Sequence, residues 1–431
     1  MELMIAEALV LPETPLELAE LEEVGRAWGR RVQRLALAAA WTAQAAVRPP
    51  GPCPTCGELD ARPAGTKPRK LETTFGPVWL TRQRQQCRVC GRHFQPDDAV
   101  LGPALGGGQT PPALRELAAE AGAGWPYRAA ARVLSRWRGS PVAPETIRQA
   151  VTQLGTAVAA QQAAEAAAAC APPAAAPETT RPRPAHLVVE LDGAWVRSHD
   201  NVGGMEGKVG VVHAGSERIG RTRPRLRERR YVATFGGVAA FGPLVTAAIE
   251  QRNGYEAAAQ TLLGDGAAWI WTLGRTILSE ATPVLDRWHL ADAQARALRR
   301  AIPADGERTE WTARLETCLE TGDVTEALTV LAELAEEVAG PAAPVVAEFT
   351  SFLREQTARI PDYGARRRAG QPIGSGGVDK GVDVVVNRRC KGRRGMKWWR
   401  DQADAVVALR VAELNDEWDQ RIALALRRAP G

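Results

Sequence analysis

The stretch Leu187-Val-Val-Glu-Leu-Asp-Gly-Ala-Trp-Val196 decides how the chain is read. Leu187, Val188, Val189 and Leu191 form a short apolar run between Pro184 and Gly193, the pattern of a buried strand. Glu190 and Asp192 lie near its end. Side chains two apart on a strand share a face, so in a central strand both acids cannot be ordinary solvated charges. An acid at the end of a buried strand needs a partner, and a metal ion is one candidate. A surface strand ending in a turn is the other reading, and the segment alone leaves both open.

Working outward, the C-terminal half has an α/β pattern. Lys208–His213 reads as a second strand and Arg229–Phe235 as a third. Phe241–Leu263 reads as a helix carrying Arg252, and Thr261–Trp271 as a strand, a turn and a helix start. Asp265 stands between two glycines of that turn, again an acid at a strand end. Pro283–Leu290 repeats the theme with Asp286-x-x-His289, whose spacing puts both side chains near a strand tip or the first helical turn. A satisfied core histidine is the plain alternative. Residues 290–360 carry helical Leu/Ala/Val periodicity and no evident chemistry. Near the end, Pro372-Ile-Gly-Ser-Gly-Gly-Val-Asp379 is a glycine-rich turn opening a helix with Asp379 in its first turn.

Two arginine-rich segments accompany these acids. Arg221, Arg223, Arg225, Arg227 and Arg229 are spaced by two, so an extended chain would present five guanidiniums on one face to a phosphate backbone. Pro224 interrupts any regular ladder, which keeps a solvated loop open. The thirteen residues from Arg388 to Arg400 hold seven basic groups, Arg388, Arg389, Lys391, Arg393, Arg394, Lys397 and Arg400, with Trp398 and Trp399 among them. Basic groups with aromatics suit a phosphodiester backbone and splayed bases.

The N-terminal half differs in kind. Cys53-x-x-Cys56-Gly and Cys87-x-x-Cys90-Gly are two knuckles whose thiolates make a closed four-sulfur set, suited to structural zinc. Leu71–Arg82 between them alternates like a hairpin, the body of a zinc ribbon. Residues 14–47 read as a helix for packing or dimerisation. Tyr127–Trp137, a Gly-Ser-Pro turn and Ala143–Leu154 read as a helix-turn-helix, in which Thr146, Arg148, Gln149 and Gln153 would face DNA. Plain helical packing is the alternative. The Ala- and then Pro-rich stretch 156–185 reads as a helix end and a linker.

The totals set outer bounds. The 431 residues suit two or three domains, and 45% hydrophobic content suits sizeable cores. A net charge of +5 is too small for a uniformly basic nucleic-acid glue, so positive charge acts where it clusters. Two CxxC pairs among seven cysteines point to metal binding in a reducing compartment rather than to disulfides. The N-terminus lacks the basic and apolar regions of a signal peptide, and no apolar run is long enough to span a membrane.

Taken together, LDGAWV, GDGAAWIW, LDRWH and GSGGVD followed by RRCKGRRGMKWW resemble bacterial insertion-sequence transposases of the DDE class, more narrowly the Kra type. The resemblance covers most of residues 50–420. It implies a multidomain α/β protein, with an RNase H-like mixed sheet flanked by helices, a helical insertion, an N-terminal zinc ribbon and a helix-turn-helix. The expected divisions are 1–48 helical, 49–104 zinc ribbon, 105–160 helix-turn-helix, 161–185 linker, and 186–431 catalytic core with the insertion at about 290–360.

It further implies Asp192, Asp265 and Asp379 as catalytic Mg²⁺ (or Mn²⁺) ligands, with Asp286, His289 and Glu190 supporting them. Cys53, Cys56, Cys87 and Cys90 would hold structural Zn²⁺. Arg148, Arg221, Arg223, Arg225, Arg388, Arg389, Lys391, Arg393, Arg394, Lys397 and Trp398 are the expected DNA contacts. The third acid of the family is a Glu in a GSG-x-x-Glu setting, whereas this chain has Asp379, one methylene shorter. Asp383, a turn later, is a possible substitute. The expected partners are double-stranded DNA, both element ends and target, and further copies of the chain. The expected location is the bacterial cytoplasm, at the nucleoid. Metal-dependent strand cleavage and transfer is the implied activity. A transposase-derived DNA-binding protein with weakened catalysis is the alternative.

Overall fold

The structure is a computed structural model and describes residues 15–49, 51–105, 108–171, 183–219, 223–391 and 395–427. It divides into two compact units, one formed by the chain up to Val158 with the segment from Trp418, the other by Ala159–Glu417.

The first unit opens with α1 (Leu18–Val47) and continues into a sheet of β1 (Ala61–Thr73), β2 (Gly76–Cys87) and β3 (His93–Phe94) in that order. β1 and β2 form the expected hairpin, extended beyond Leu71–Arg82 in both directions. Alternation decides its faces: Leu71, Val78 and Leu80 are buried and pack with Leu37, Ala38 and Trp41 of α1, while Trp79 between them is exposed. α2 (Asp98–Leu105), α3 (Pro112–Gly124) and α4 (Tyr127–Arg138) follow, then α5 (Pro144–Ala169). Gly139, with φ of 68°, ends α4 in the left-handed conformation that suits glycine at a helix C-terminus. α5 is longer than the expected 143–154 helix. It runs on to Ala169, because the alanines assigned to a linker continue the helix. Residues 172–182 of that expected linker lie outside the described residues.

The second unit is built on a five-stranded mixed sheet. In chain order its strands are β4 (His186–Val196), β5 (Met205–His213), β8 (Arg230–Thr234), β9 (Ala259–Gly264) and β10 (Thr282–Leu285). In space they run β10-β9-β4-β5-β8. β5 pairs antiparallel with β4 and β8, while β4–β9 and β9–β10 are parallel. The opening stretch is thus the central strand, with neighbours on both sides. A separate two-stranded ribbon, β6 (Ser216–Ile219) and β7 (Arg223–Leu226), leaves the sheet between β5 and β8.

Helices α6 (Val238–Glu250) and α7 (Ala268–Ile277) follow β8 and β9. α6 ends at Glu250 rather than continuing to Leu263. The chain reverses at Asn253, with φ of 52°, and Ala259 already begins β9. Helices α8 (Arg287–Ala301), α9 (Asp305–Thr321), α10 (Val324–Glu337), α11 (Ala342–Gln356) and α12 (Tyr363–Arg368) make the stretch after β10 helical, the insertion of the sequence reading. One continuous apolar core joins it to the sheet, from Leu187 and Leu263 through Leu290 and Leu315 to Tyr363. The insertion therefore folds with the sheet as one body. α13 (Gly376–Val382), a π turn over Asp383–Asn387 and α14 (Arg400–Leu414) complete the unit. The final helix, α15 (Trp418–Arg427), groups with the first unit and not with a core extending to 431. Among the described residues no helix is long and apolar enough to cross a membrane.

Candidate functional site

Two clusters of ligand-type side chains were expected, one of thiols and one of carboxylates. The thiol cluster is assembled by local geometry. In each knuckle the glycine after the second cysteine has positive φ, 80° at Gly57 and 74° at Gly91. Its N–H turns back to the carbonyl of the first cysteine, at 2.9 Å for Gly57 to Cys53 and 3.0 Å for Gly91 to Cys87. The β1–β2 hairpin then juxtaposes the two knuckles. Cys53 Sγ lies 3.6 Å from Cys90 Sγ, Cys56 Sγ lies 3.6 Å from Cys87 Sγ, and all four sulfurs fall within 4.8 Å of one another. A tetrahedron with Zn–S bonds near 2.3 Å has S···S edges of roughly 3.8 Å, so the set fits a zinc ion. Backbone N–H groups of Thr55 and Cys56 draw the Cys53 thiol down to about 6, favouring the thiolate a metal needs. Four sulfurs would leave no open coordination position, so a zinc ion held here would be structural.

The carboxylate cluster is assembled from four distant segments. Parallel pairing of β4 with β9 sets Glu190 opposite Leu263. β9 ends at Gly264, so Asp265 lies just past its end. Asp192 lies within β4, still paired with Val209 of β5, and not at a strand end as expected. The two acids are close enough for Asp265 to act on Asp192. Asp192 accepts from Gly193 N–H at 2.6 Å and Asp265 from Ala267 N–H at 3.0 Å. Asp286 follows β10, the next parallel strand, and caps α8 by accepting from His289 N–H at 2.7 Å.

Asp379 arrives from the other side of the sheet's connectivity, on α13. Glu190, 3% exposed, anchors that helix by accepting from Val378 N–H at 2.7 Å. The other Glu190 oxygen lies 3.0 Å from His213 Nε2. Gly377 makes the approach possible: a Cβ there would come within 2.7 Å of a Glu190 oxygen. Asp286, 1% exposed, holds the preceding turn through Ser375, taking hydrogen bonds from its N–H and, at 3.0 Å, its hydroxyl. Glu190 and Asp286 thus fix α13 and the turn before it.

Electrostatics unites the group. Burial, reinforced by Asp265 and Asp379, raises Asp192 to about 6 despite the Gly193 N–H. Asp379 is also raised, by partial desolvation and by Asp286, Glu190 and Asp265, although much of the residue faces solvent. His289 answers this negative charge. Its Nδ1 lies 3.0 Å from Asp286 Oδ1, an ion pair bent away from a straight hydrogen bond. Asp286 and the neighbouring acids raise the imidazole to about 9, so it is a cation at neutral pH. Burial alone would raise Asp286, but His289 and Ser375 hold it below the usual carboxylate range.

Among the described residues only the four cysteines gather as tightly as a preformed metal cage; the carboxylates stand further apart. Asp192, Asp265 and Asp379 offer oxygen donors only, a set that could hold a hard divalent cation. Asp383 does not join them. It is ion-paired with Lys380 at 3.1 Å and Arg388 at 3.3 Å on the outer side of the helix.

The expected DNA contacts separate by environment. Lys391 and Lys397 are exposed, and so is Arg388, beside Asp383. Arg389 and Trp398 are interior residues, contrary to a surface role. Arg389 is 2% exposed and stacks on the Trp398 ring at 4.7 Å, and Trp398 Nε1 donates to Cys390 O at 3.1 Å. Trp399 is the exposed member of the pair, stacked on His199 at 5.0 Å. Arg393 and Arg394 lie outside the described residues, as does Arg221.

The arginine row is shorter than its spacing suggests. Arg223 and Arg225 lie on β7, with Arg225 exposed opposite Glu217. The chain then turns at Glu228, with φ of 51°, and Arg227 is occupied by the Ala214 carbonyl at 2.7 Å. On α5, Arg148 is ion-paired with Glu145, and Gln149 donates to the same acid.

Ser375, His213 and Tyr363 are supporting residues that the linear pattern did not mark. Tyr363 is fully buried and donates to Leu285 O at 2.8 Å, steadying the end of β10. His213 had a faint signal, as the polar end of the otherwise apolar run in β5.

A search of curated proteins gave no match. Residues 64–419 match the profile of UPF0236, an uncharacterised protein family, and this span includes more than half of the first unit and all of the second. The chain therefore belongs to the uncharacterised protein family UPF0236.

Proposed function

We propose that the protein is a DNA transposase of the DDE class, whose RNase H-like core cleaves and joins DNA strands at Asp192, Asp265 and Asp379. The observation that carries this reading is that Asp192 on the central strand has Asp265, just past the end of the parallel neighbour β9, and Asp379 both close enough to raise it. The mixed five-stranded sheet with helices following its strands, and a helical insertion between β10 and Asp379, is the arrangement that the reading expects.

The residues divide the work. Asp192, Asp265 and Asp379 would hold Mg²⁺ or Mn²⁺, oxygen ligands throughout. When bound, the ions supply activation of water and charge stabilisation at the scissile phosphate. Glu190 and Asp286 fix α13 and its approach turn, so that Asp379 is presented in a defined place. His289 carries positive charge at the rim of the cluster, where it offsets carboxylate repulsion and suits a phosphate group. Exposed Arg225, Arg388, Lys391 and Lys397 supply cations for the DNA backbone.

Purified protein with Mg²⁺ should nick DNA carrying the ends of its own element, and Asp192→Ala or Asp265→Ala should abolish nicking. Cutting by both variants at the wild-type rate overturns the assignment. Asp379 also favours a second reading, a transposase-derived DNA-binding protein, because Asp reaches one methylene less far than Glu. The close seating of α13 on Glu190 counters that deficit. Asp379→Glu should therefore leave cleavage within about tenfold of wild type, a difference of about 1.4 kcal/mol. Inertness of both forms with intact DNA binding would favour the second reading.

A further inference from the structure

The helix-turn-helix reading places DNA contacts on the second helix, α5. Its first-turn side chains are engaged internally: Arg148 and Gln149 both bond Glu145. The first helix, α4, is different. The 24 residues from Ala121 to Pro144 contain no acid and four arginines, Arg128, Arg132, Arg136 and Arg138. Arg138 is 3% exposed and held by Glu72 and by the carbonyl of Pro141 at 3.0 Å. It belongs to the interior, with Ala130, Ala131 and Leu134.

Arg128, Arg132 and Arg136 lie on the other side of the helix. They are spaced by four residues, so they follow one another along a single exposed face. None has a hydrogen-bond or ion-pair partner among the described residues. Arginines at i, i+4 repel one another, and a surface helix ordinarily relieves that with an acid at the same spacing. Here the relief is absent along the whole face.

We propose that this face of α4, and not α5, is the principal surface by which the first unit holds duplex DNA, through the phosphate backbone and without base reading. The span fits. From Arg128 to Arg136 the helix rises about 12 Å. One strand of duplex DNA carries a charge about every 3.4 Å of axis, so the row covers three to four phosphates. Guanidiniums suit phosphate oxygens in geometry as well as charge. The inference rests on the reading of the protein as DNA-acting, and it concerns binding rather than the acids.

The test is a salt titration of binding to a short random-sequence duplex, between about 50 and 200 mM salt. It compares the intact chain, the triple variant R128Q/R132Q/R136Q, and R148Q. All substituted side chains have surface-accessible, non-core positions, and thermal melting checks that folding is unchanged. Loss of three phosphate contacts should lower the slope of log K against log salt by about 2.7, whereas R148Q should lower it by less than about 0.9. A triple-variant slope equal to wild type overturns the proposal, and so does a larger loss in R148Q. Arginine-dependent binding to phosphatidylserine vesicles in place of the duplex also overturns it. Cleavage assays separate the two readings. An unchanged slope with Asp192-dependent nicking sinks only this proposal. A lowered slope without nicking sustains this proposal and sinks the transposase reading.

Discussion

The thiol cluster and the carboxylate cluster solve opposite problems. Cys53, Cys56, Cys87 and Cys90 come from two short knuckles on one hairpin, and their sulfurs already lie within 4.8 Å of one another. Asp192, Asp265 and Asp379 come from a central strand, a neighbouring strand end and a helix far along the chain. They do not gather as tightly, and of the three only Asp379 is exposed. A closed set of soft ligands would serve folding, whereas under the proposed function an open set of hard ligands would keep positions for water and substrate. The difference also shows in what each cluster requires nearby. The thiols need only their own backbone turns and the hairpin that joins them. The carboxylates need Glu190, Asp286, Ser375 and His289 to place them.

The comparison can be broken most forcefully at the cysteines. Cys87→Ser should reduce bound zinc from one equivalent to none and unfold the ribbon, removing metal-binding energy on the order of 10 kcal/mol. The sheet of the second unit should retain its own melting transition. Metal analysis with calorimetry reads both outcomes, and a folded, zinc-free ribbon would show that the thiols are not structural.

Gly377→Ala tests whether the open cluster depends on its supports. The added Cβ meets both oxygens of Glu190, at 2.7 and 2.9 Å, so α13 must move from β4. Stability should fall by about 1–3 kcal/mol, and affinity for Mn²⁺, followed by its electron spin resonance, should fall with it. Unaltered Mn²⁺ affinity would separate Asp379 from the site.

Acid should weaken the carboxylate cluster first. Asp192 is raised to about 6, so protonation begins to compete with metal there as pH falls through that value. Mn²⁺ affinity should drop up to about tenfold per pH unit below it. The stability effect has the opposite sign. A carboxyl whose folded pKa exceeds its unfolded value stabilises the metal-free fold at low pH, fully below the unfolded value of 3.8, and loses that contribution as pH rises through about 6. Affinity constant down to pH 4 would remove Asp192 from the ligand set.

The smallest effect is expected at Asp383. Its ion pairs with Lys380 and Arg388 lie near the surface, so Asp383→Asn should change stability by less than about 1 kcal/mol and leave cleavage intact. Loss of cleavage would make Asp383, and not Asp379, the third acid.

Much of this contrast was legible in order along the chain. The knuckles, the hairpin between them, the strand carrying Asp192, the turn carrying Asp265 and the Asp-x-x-His turn all arise from short-range patterns, and each occurs where its pattern stands. Misreadings fell where local propensity was ambiguous. Alanines after Leu154 favour helix as readily as linker, and the apolar run after Phe241 conceals a reversal at Asn253. Arg389 and Trp398 looked like surface grip because charge and aromatics suggest it, yet the cation is buried against the ring.

By itself the sequence determined the ligand types, their local turns and the alternation that buries one side of each strand, because these depend on neighbours within a few residues. Only the tertiary structure decided which acids share a face, which arginines remain free, and that Glu190 and Asp286 serve as anchors. Those outcomes depend on the parallel register of β4 with β9 and on the close seating of α13. Both are set by packing between segments far apart in the chain, which no local pattern encodes. The stretch from Leu187 to Val196 is the clearest case. Its apolar run announced a strand, but its place at the centre of the sheet, beside Asp265 and beneath Val378, gave its two acids different tasks.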